Sequence, residues 1–184
     1  NSRCNFCIWH PFATGICGRY WALGRSSSID IISKNKFILQ TKISHSMKKK
    51  ILVLCTGNSC RSQIAEGYLR HFAEQKAEIF SAGIETHGVN PKAVATMKDD
   101  GIDISNHISN NIDEYRNIDF DFVITVCDNA KERCPFFPTK AQKFHYNFPD
   151  PAKAIGTVEE IAEEFRKVRQ QIKDYCENFV AENL

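Results

Sequence analysis

The length, composition and charge of this chain are those of an ordinary folded protein. Its 184 residues are 42% hydrophobic and 25% charged, which is enough for one domain with a substantial core. The net charge is +2, but residues 47–184 alone are mildly acidic, which does not suggest a nucleic-acid partner. No run of about 18 apolar residues predicts a membrane span.

The first 46 residues differ from the rest. They carry six Lys and Arg against one Asp, whereas residues 47–184 carry eighteen Lys and Arg against twenty-one Asp and Glu. They show no sustained period and lack the apolar core of a signal peptide. We interpret 1–46 as an extension without a fold and 47–184 as the domain. The alternative is a small metal site in the extension, with candidate ligands Cys4, Cys7, Cys17 and His10.

From Met47 onward, hydrophobic periodicity predicts alternating strands and helices. Short strand-like runs occur at Ile51–Leu54, Glu78–Ala82, Phe120–Val126 and Lys143–Tyr146. Helical spacing occurs at Ser62–Gln75, Asn90–Gly101, Glu159–Asn183 and, more briefly, Asn111–Tyr115. This alternation predicts an α/β fold, a three-layer sandwich with a central four-stranded parallel sheet covered on both faces.

The strongest chemical signal lies between the first strand and the first helix. Five residues separate Cys55 from Arg61 in a Cys-x5-Arg-Ser loop. Loop N–H groups and the helix N-terminus can surround an oxyanion, and Arg61 offers a planar fork of donors. A thiolate at Cys55 would be the nucleophile. The predicted oxyanion-binding residues are Thr56, Gly57, Asn58, Ser59, Cys60, Arg61 and Ser62.

Two further residues fall where a shared site is expected. Cys127 follows a strand, as Cys55 does, and the carboxyl ends of parallel strands meet at one edge of the sheet. The alternative for Cys127 is a small apolar core residue. Asp150, between Pro149 and Pro151, follows the last strand and is the candidate acid for protonating a leaving oxygen. Its alternative is a solvated turn aspartate.

The remaining cysteines differ in their expected roles. Six residues separate Cys127 from Cys134, so on an intact helix their Cα atoms would lie about 10 Å apart, beyond disulfide reach. If they pair, the segment must unwind, which suits a redox relay. We interpret Cys60, at a helix start, and Cys176, on the apolar face of the last helix, as structural.

Taken together, these motifs resemble the thioredoxin-coupled arsenate reductases, which share the fold of low-molecular-weight protein tyrosine phosphatases. The resemblance runs from Met47 to the C-terminus. It rests on Cys55–Gly67, Ser81–Pro91, Ile102–His107, Cys127, Cys134–Pro135 and Asp150–Pro151.

The resemblance implies a cytoplasmic, monomeric enzyme of arsenic detoxification, with arsenate as substrate and thioredoxin as partner. Cys55 would attack arsenate held by the loop and Arg61, and Asp150 would protonate the leaving oxygen. Cys127 would then attack Cys55 and release arsenite, and Cys134 would attack Cys127. Thioredoxin would reduce the Cys127–Cys134 disulfide. Hydrogen bonds from Asn58 and Ser62 would orient the loop and lower the pKa of Cys55.

The resemblance implies no required cofactor, although some family members bind a potassium ion beside the loop. The matching positions are Asn58, Glu66, Ser81 and Asn110. Asn110 stands where those members have an aspartate, so one negative charge is missing.

Two other functions remain open at this point. A phosphotyrosine phosphatase would use the same loop and Asp150 but would need neither Cys127 nor Cys134. A non-catalytic arsenite or metal sensor would use cysteine clusters but would not need Arg61 and an acid around an oxyanion.

Overall fold

The computed structural model describes residues 48–128 and 140–184. The expectations for the extension 1–46, including its metal-site alternative, and for Cys134 lie outside these ranges. No helix in the described part of the chain is long and apolar enough to cross a membrane.

The four predicted strands form one parallel sheet. Their bounds are Lys49–Cys55 (β1), Ala77–Gly83 (β2), Phe122–Thr125 (β3) and Gln142–His145 (β4), in the order β2-β1-β3-β4. β3 is shorter than the predicted Phe120–Val126, because only its four residues pair with both β1 and β4. The prediction of a four-stranded parallel sheet is confirmed.

The described helices follow the predicted order. They are Arg61–Ala73 (α1), Pro91–Asp99 (α2) and Val158–Asn183 (α3), with short 3-10 turns at Ile112–Tyr115 and Pro151–Lys153. Capping explains two starts: Asn90 accepts from the N–H of Lys92, and Thr157 forms a capping box with Glu160. α1 ends before the predicted Gln75, because Glu74 adopts a positive φ of 49°.

Alternating side chains of the sheet serve two separate cores. Ile51 and Val53 of β1 face a cluster that includes residues of all three described helices. Leu52 and Leu54 face the opposite cluster, which the first 3-10 turn and an aromatic group cover. That group consists of Phe80, Tyr115 and Phe120 in edge-to-face contacts. The sheet is therefore the middle layer of three.

The sheet brings its carboxyl ends to one edge. β1 ends at Cys55, and Val126, just beyond β3, donates its N–H to the carbonyl of Leu54 at 2.9 Å. Cys127 thus emerges beside Cys55. The loop after β4 follows the same edge, since the N–H of Phe148 donates to the carbonyl of Val126 at 3.4 Å. This edge carries the candidate site.

Candidate active site

The loop between β1 and α1 is built around Asn58. This residue is fully buried and takes a positive φ of 44°, a conformation more common for asparagine than for most residues. Its main-chain N–H donates to Cys55 Sγ at 3.1 Å. Its side-chain amide donates to Ser62 Oγ at 3.0 Å and to Ser81 Oγ at 2.8 Å. These bonds hold the loop in a conformation that would otherwise be unfavourable.

Ser62 presents its hydroxyl hydrogen to the sulfur of Cys55. Ser62 Oγ lies 2.9 Å from Cys55 Sγ. Because Ser62 Oγ accepts from the amide of Asn58, its own hydrogen is available to the sulfur. Two donors, the Ser62 hydroxyl and the Asn58 main-chain N–H, therefore favour the thiolate, which is the nucleophilic form of cysteine.

Burial nevertheless dominates the acidity of Cys55. It raises the pKa of the Cys55 thiol above its ordinary value of 9.0, and proximity to Cys127 adds to the increase. The Ser62 hydroxyl, the Asn58 N–H and the charge of Arg61 lower the pKa, in that order of size. The contacts of Asn58 and Ser62 therefore lower the pKa as predicted, although desolvation outweighs them and the net pKa of Cys55 is raised.

Arg61 and Asp150 meet on the wall of the pocket. Arg61 Nη2 lies 3.0 Å from Asp150 Oδ2, and Arg61 Nη1 donates to the carbonyl of Phe148 at 3.1 Å. Asp150 also caps the following 3-10 turn by accepting from the N–H of Ala152 at 3.2 Å. The ion pair thus orients the Arg61 guanidinium and the Asp150 carboxylate relative to each other.

A cavity of about 660 Å³ lies at the carboxyl edge of the sheet. Asn58 and Ser62 do not line it but support it from behind. Most of the predicted site residues do line it: Cys55, Thr56, Gly57, Ser59, Cys60, Arg61, Cys127 and Asp150.

Cys127 shares the pocket with Cys55. Its side chain is buried, and its Sγ lies 3.4 Å from Thr56 Oγ1. Cys60 also lines the pocket, but burial raises the pKa of its thiol to about 12, which keeps it protonated. Cys176 lies within the core formed with the helices, as expected.

Four polar lining residues were not predicted: His87, Asp128, Asn147 and Lys153. Asp128 and Asn147 follow the carboxyl ends of β3 and β4, so the rule that indicated Cys127 could also have found them. His87 and Lys153 lie on segments between the helices and strands. No sequence pattern there indicates whether a side chain points toward the pocket. The ring of His87 closes over Gly57, since a Cβ there would fall 2.6 Å from His87 Nδ1.

The four residues matched to a potassium site do converge, but hydrogen bonds already engage them. Asn58 Oδ1 accepts from the N–H of Asn110 at 2.8 Å and from Gln63 Nε2 at 2.9 Å. Ser81 Oγ donates to Glu66 Oε2 at 2.6 Å. Glu66, the only carboxylate of the four, is buried and its other oxygen pairs with Arg70 at 2.5 Å.

This arrangement does not fit a potassium ion. The amide oxygen of Asn58 is saturated, and the guanidinium of Arg70 compensates the charge of Glu66. Elsewhere in residues 48–128 and 140–184, no group of three or more His, Cys, Asp or Glu side chains could hold a metal ion.

Comparison with known sequences places this architecture in a family. The sequence model of the low molecular weight phosphotyrosine protein phosphatase family matches residues 50–184. A protein named arsenate reductase from Halalkalibacterium halodurans is 48% identical over 132 residues, which cover 72% of this chain and 95% of that protein.

Solved structures show the same fold. One is an arsenate reductase in the oxidized state, which is 34% identical with a TM-score of 0.64 and covers 73% of this chain and 98% of the other. A second is an arsenate reductase in the phosphate binding state, which is 32% identical with a TM-score of 0.59 and has the same coverage of 73% and 98%.

Proposed function

Because the chain belongs to the low molecular weight phosphotyrosine protein phosphatase family, we propose that it uses the family's oxyanion loop to reduce arsenate to arsenite. One observation carries this proposal: a second buried cysteine, Cys127, lines the same cavity as Cys55, Arg61 and Asp150. Phosphate-ester hydrolysis needs no second thiol, whereas reduction of arsenic needs a source of two electrons. The names of the similar proteins agree with this choice.

The first proposed step is the attack of the Cys55 sulfur on arsenate. The oxyanion would occupy the loop between Cys55 and Arg61, with the Arg61 fork on its oxygens. A sulfur–arsenic bond forms while an arsenic–oxygen bond breaks, and the protonated form of Asp150 gives its proton to the departing oxygen. Arsenic remains in its oxidized form, As(V), at this stage.

The second proposed step is a thiol relay. Cys127 attacks the Cys55 sulfur, a sulfur–sulfur bond forms, and the electron pair of the sulfur–arsenic bond goes to arsenic. As(V) becomes As(III) and leaves as arsenite, while two thiols are oxidized to one disulfide. Cys134 would then exchange with Cys127 and free Cys55, and thioredoxin would reduce the Cys127–Cys134 disulfide.

We propose that this reaction needs no potassium ion. Arg70 lies on α1 one turn from Glu66 and already provides the positive charge at the buried carboxylate. We also expect the protein to be a monomer. We expect it to work in the cytoplasm, because a relay of free thiols requires a reducing compartment.

The second candidate function is phosphatase activity. The loop, Arg61 and Asp150 would act on a phosphate ester in the same way, since phosphate and arsenate share shape and charge. We therefore expect weak hydrolysis of p-nitrophenyl phosphate beside arsenate reduction.

The deciding experiment follows NADPH oxidation in the presence of arsenate, thioredoxin and thioredoxin reductase. We expect oxidation that depends on all three, and little when glutaredoxin and glutathione replace thioredoxin. In the Cys134→Ala variant we expect about one arsenite per enzyme and no further turnover, because the relay stops at the first disulfide. Phosphatase activity without arsenate-dependent oxidation would instead favour the second candidate.

A further inference from the structure

A polar cluster lies next to Cys127 and outside the oxyanion loop. It joins the ends of β3 and β4 and consists of Thr125, Asp128, His145 and Asn147. Thr125 Oγ1 lies 2.8 Å from His145 Nδ1, and His145 Nε2 lies 3.2 Å from Asp128 Oδ1. The other carboxylate oxygen of Asp128 accepts from the side-chain amide of Asn147. Asp128 is the residue that directly follows Cys127.

The directions of these hydrogen bonds follow from the groups themselves. An ionised carboxylate can only accept, so His145 Nε2 must carry the hydrogen that points at Asp128. This holds whether the ring is neutral or charged. The Thr125 hydroxyl can serve His145 Nδ1 in either case, since it can donate to a neutral ring or accept from a charged one while donating to the carbonyl of Phe144 at 3.2 Å.

The cluster fixes the chain on one side of Cys127. The neighbour on the other side, Val126, is held by its bond to the carbonyl of Leu54 at 2.9 Å. On the sulfur itself, Thr56 Oγ1 lies 3.4 Å away. Without His145 and Asn147, the described contacts would anchor Cys127 only through Val126 and its own sulfur.

We propose that His145, supported by Thr125 and Asn147, holds Asp128 and thereby positions Cys127 for its attack on Cys55. His145 is a positioning residue, since it acts on the reaction through Asp128. The inference rests on the proposed relay, in which the Cys127–Cys55 bond forms and the electron pair of the Cys55–arsenic bond passes to arsenic. Misplacing an attacking group by about 1 Å can slow a reaction by as much as 10²-fold.

The test is a single turnover of reduced full-length enzyme with arsenate and no thioredoxin, stopped at intervals. Arsenite and the disulfides of Cys127, with Cys55 or with Cys134, are measured in wild type, His145→Ala, Asp128→Asn and His145→Gln. His71→Ala, which changes an exposed histidine on α1, is the matched control. Iodoacetamide labelling of Cys55, read from its peptide, reports the reactivity of the nucleophile separately from the attack by Cys127.

We expect His145→Ala to slow arsenite release about tenfold while Cys55 labelling and the melting temperature stay unchanged. His145→Gln should recover part of the rate, because its amide keeps a donor toward Asp128. Wild-type release in His145→Ala, or an equal loss in labelling and release, would overturn the positioning role. Absence of arsenite release from the wild type would instead overturn the proposed function.

Discussion

The two cysteines of the pocket are held in different ways. Cys55 contacts Ser62 and the main chain of Asn58, and these residues are fully buried. Cys127 is also buried, but the residue after it is held by side chains in contact with solvent. In that hydrogen-bonded pair the side chains of His145 and Asp128 are 24% and 60% exposed.

This difference matches what the proposed reaction asks of each cysteine. Cys55 always attacks from one position, so a rigid network that needs no rearrangement favours it. Cys127 must serve two partners, first Cys55 and then Cys134. Polar contacts between solvent-exposed side chains are individually weak, so they can position a residue and still release it.

The largest expected effect separates the two cysteines. Cys127→Ser should abolish arsenite release, since the thiol that attacks the Cys55 sulfur is removed. The same variant should hydrolyse p-nitrophenyl phosphate like the wild type, because the oxyanion loop is intact. Cys176→Ala, which changes a core cysteine, is the control and should retain both activities. Loss of both activities in Cys127→Ser would show that the two cysteines are not functionally separable.

Next in size is the effect of Arg61 on both reactions. Arg61→Ala should lower kcat/KM for arsenate and for p-nitrophenyl phosphate by about 10²–10³-fold, as for the loss of one donor to developing charge. Arg61→Lys should recover little, because lysine lacks the planar fork. Arg116→Ala removes an exposed arginine and is the control. A loss of kcat/KM confined to arsenate would argue against a single oxyanion-binding site for both substrates.

The sequence predicted the elements and the oxyanion loop because both depend on local pattern. The short strand before Cys55 and the helix after it define the loop. The prolines on either side of Asp150 restrict the backbone of its own loop. The convergence of Cys127 and Cys55 also followed, since parallel strands end at one edge of a sheet.

Side-chain partners across the fold could not be predicted in the same way. The pairing of Arg61 with Asp150 joins residues that lie 89 positions apart in the sequence. The positive φ of Asn58 has no signal in a loop where glycine stands beside it. The net pKa of Cys55 depends on burial, which only the assembled core determines. The sequence did not indicate His145 either, because its partners Thr125 and Asp128 come from another part of the chain.

A smaller effect concerns the acidity of the nucleophile. Ser62→Ala removes a contact that lowers the pKa of Cys55, so the thiolate should form only at higher pH. At neutral pH, iodoacetamide labelling of Cys55 should slow about tenfold, since hydrogen bonds to charged groups contribute roughly 1.5–3 kcal/mol. Ser59→Ala removes a hydroxyl from the same loop and should leave the pH profile in place. An unchanged profile in Ser62→Ala would mean that the hydroxyl does not stabilise the thiolate.

The smallest expected effect, for the wild type, is that of potassium. Because Arg70 pairs with the buried carboxylate of Glu66, replacing sodium chloride by potassium chloride should change neither the melting temperature nor kcat. In Arg70→Met the Glu66 carboxylate loses the guanidinium that pairs with it. A potassium ion could then compensate the negative charge of Glu66.

The sharpest measurement compares the melting temperature of Arg70→Met in the two salts at equal ionic strength, with Arg116→Ala as the control. We expect potassium to stabilise only Arg70→Met. A potassium effect in the wild type would show that an ion binds beside Glu66 despite Arg70. The buried network behind Cys55 would then include a cation from solution. Equal melting in both salts for every protein would instead mean that, with Asn110 in place of aspartate, one carboxylate is too little charge to hold the ion.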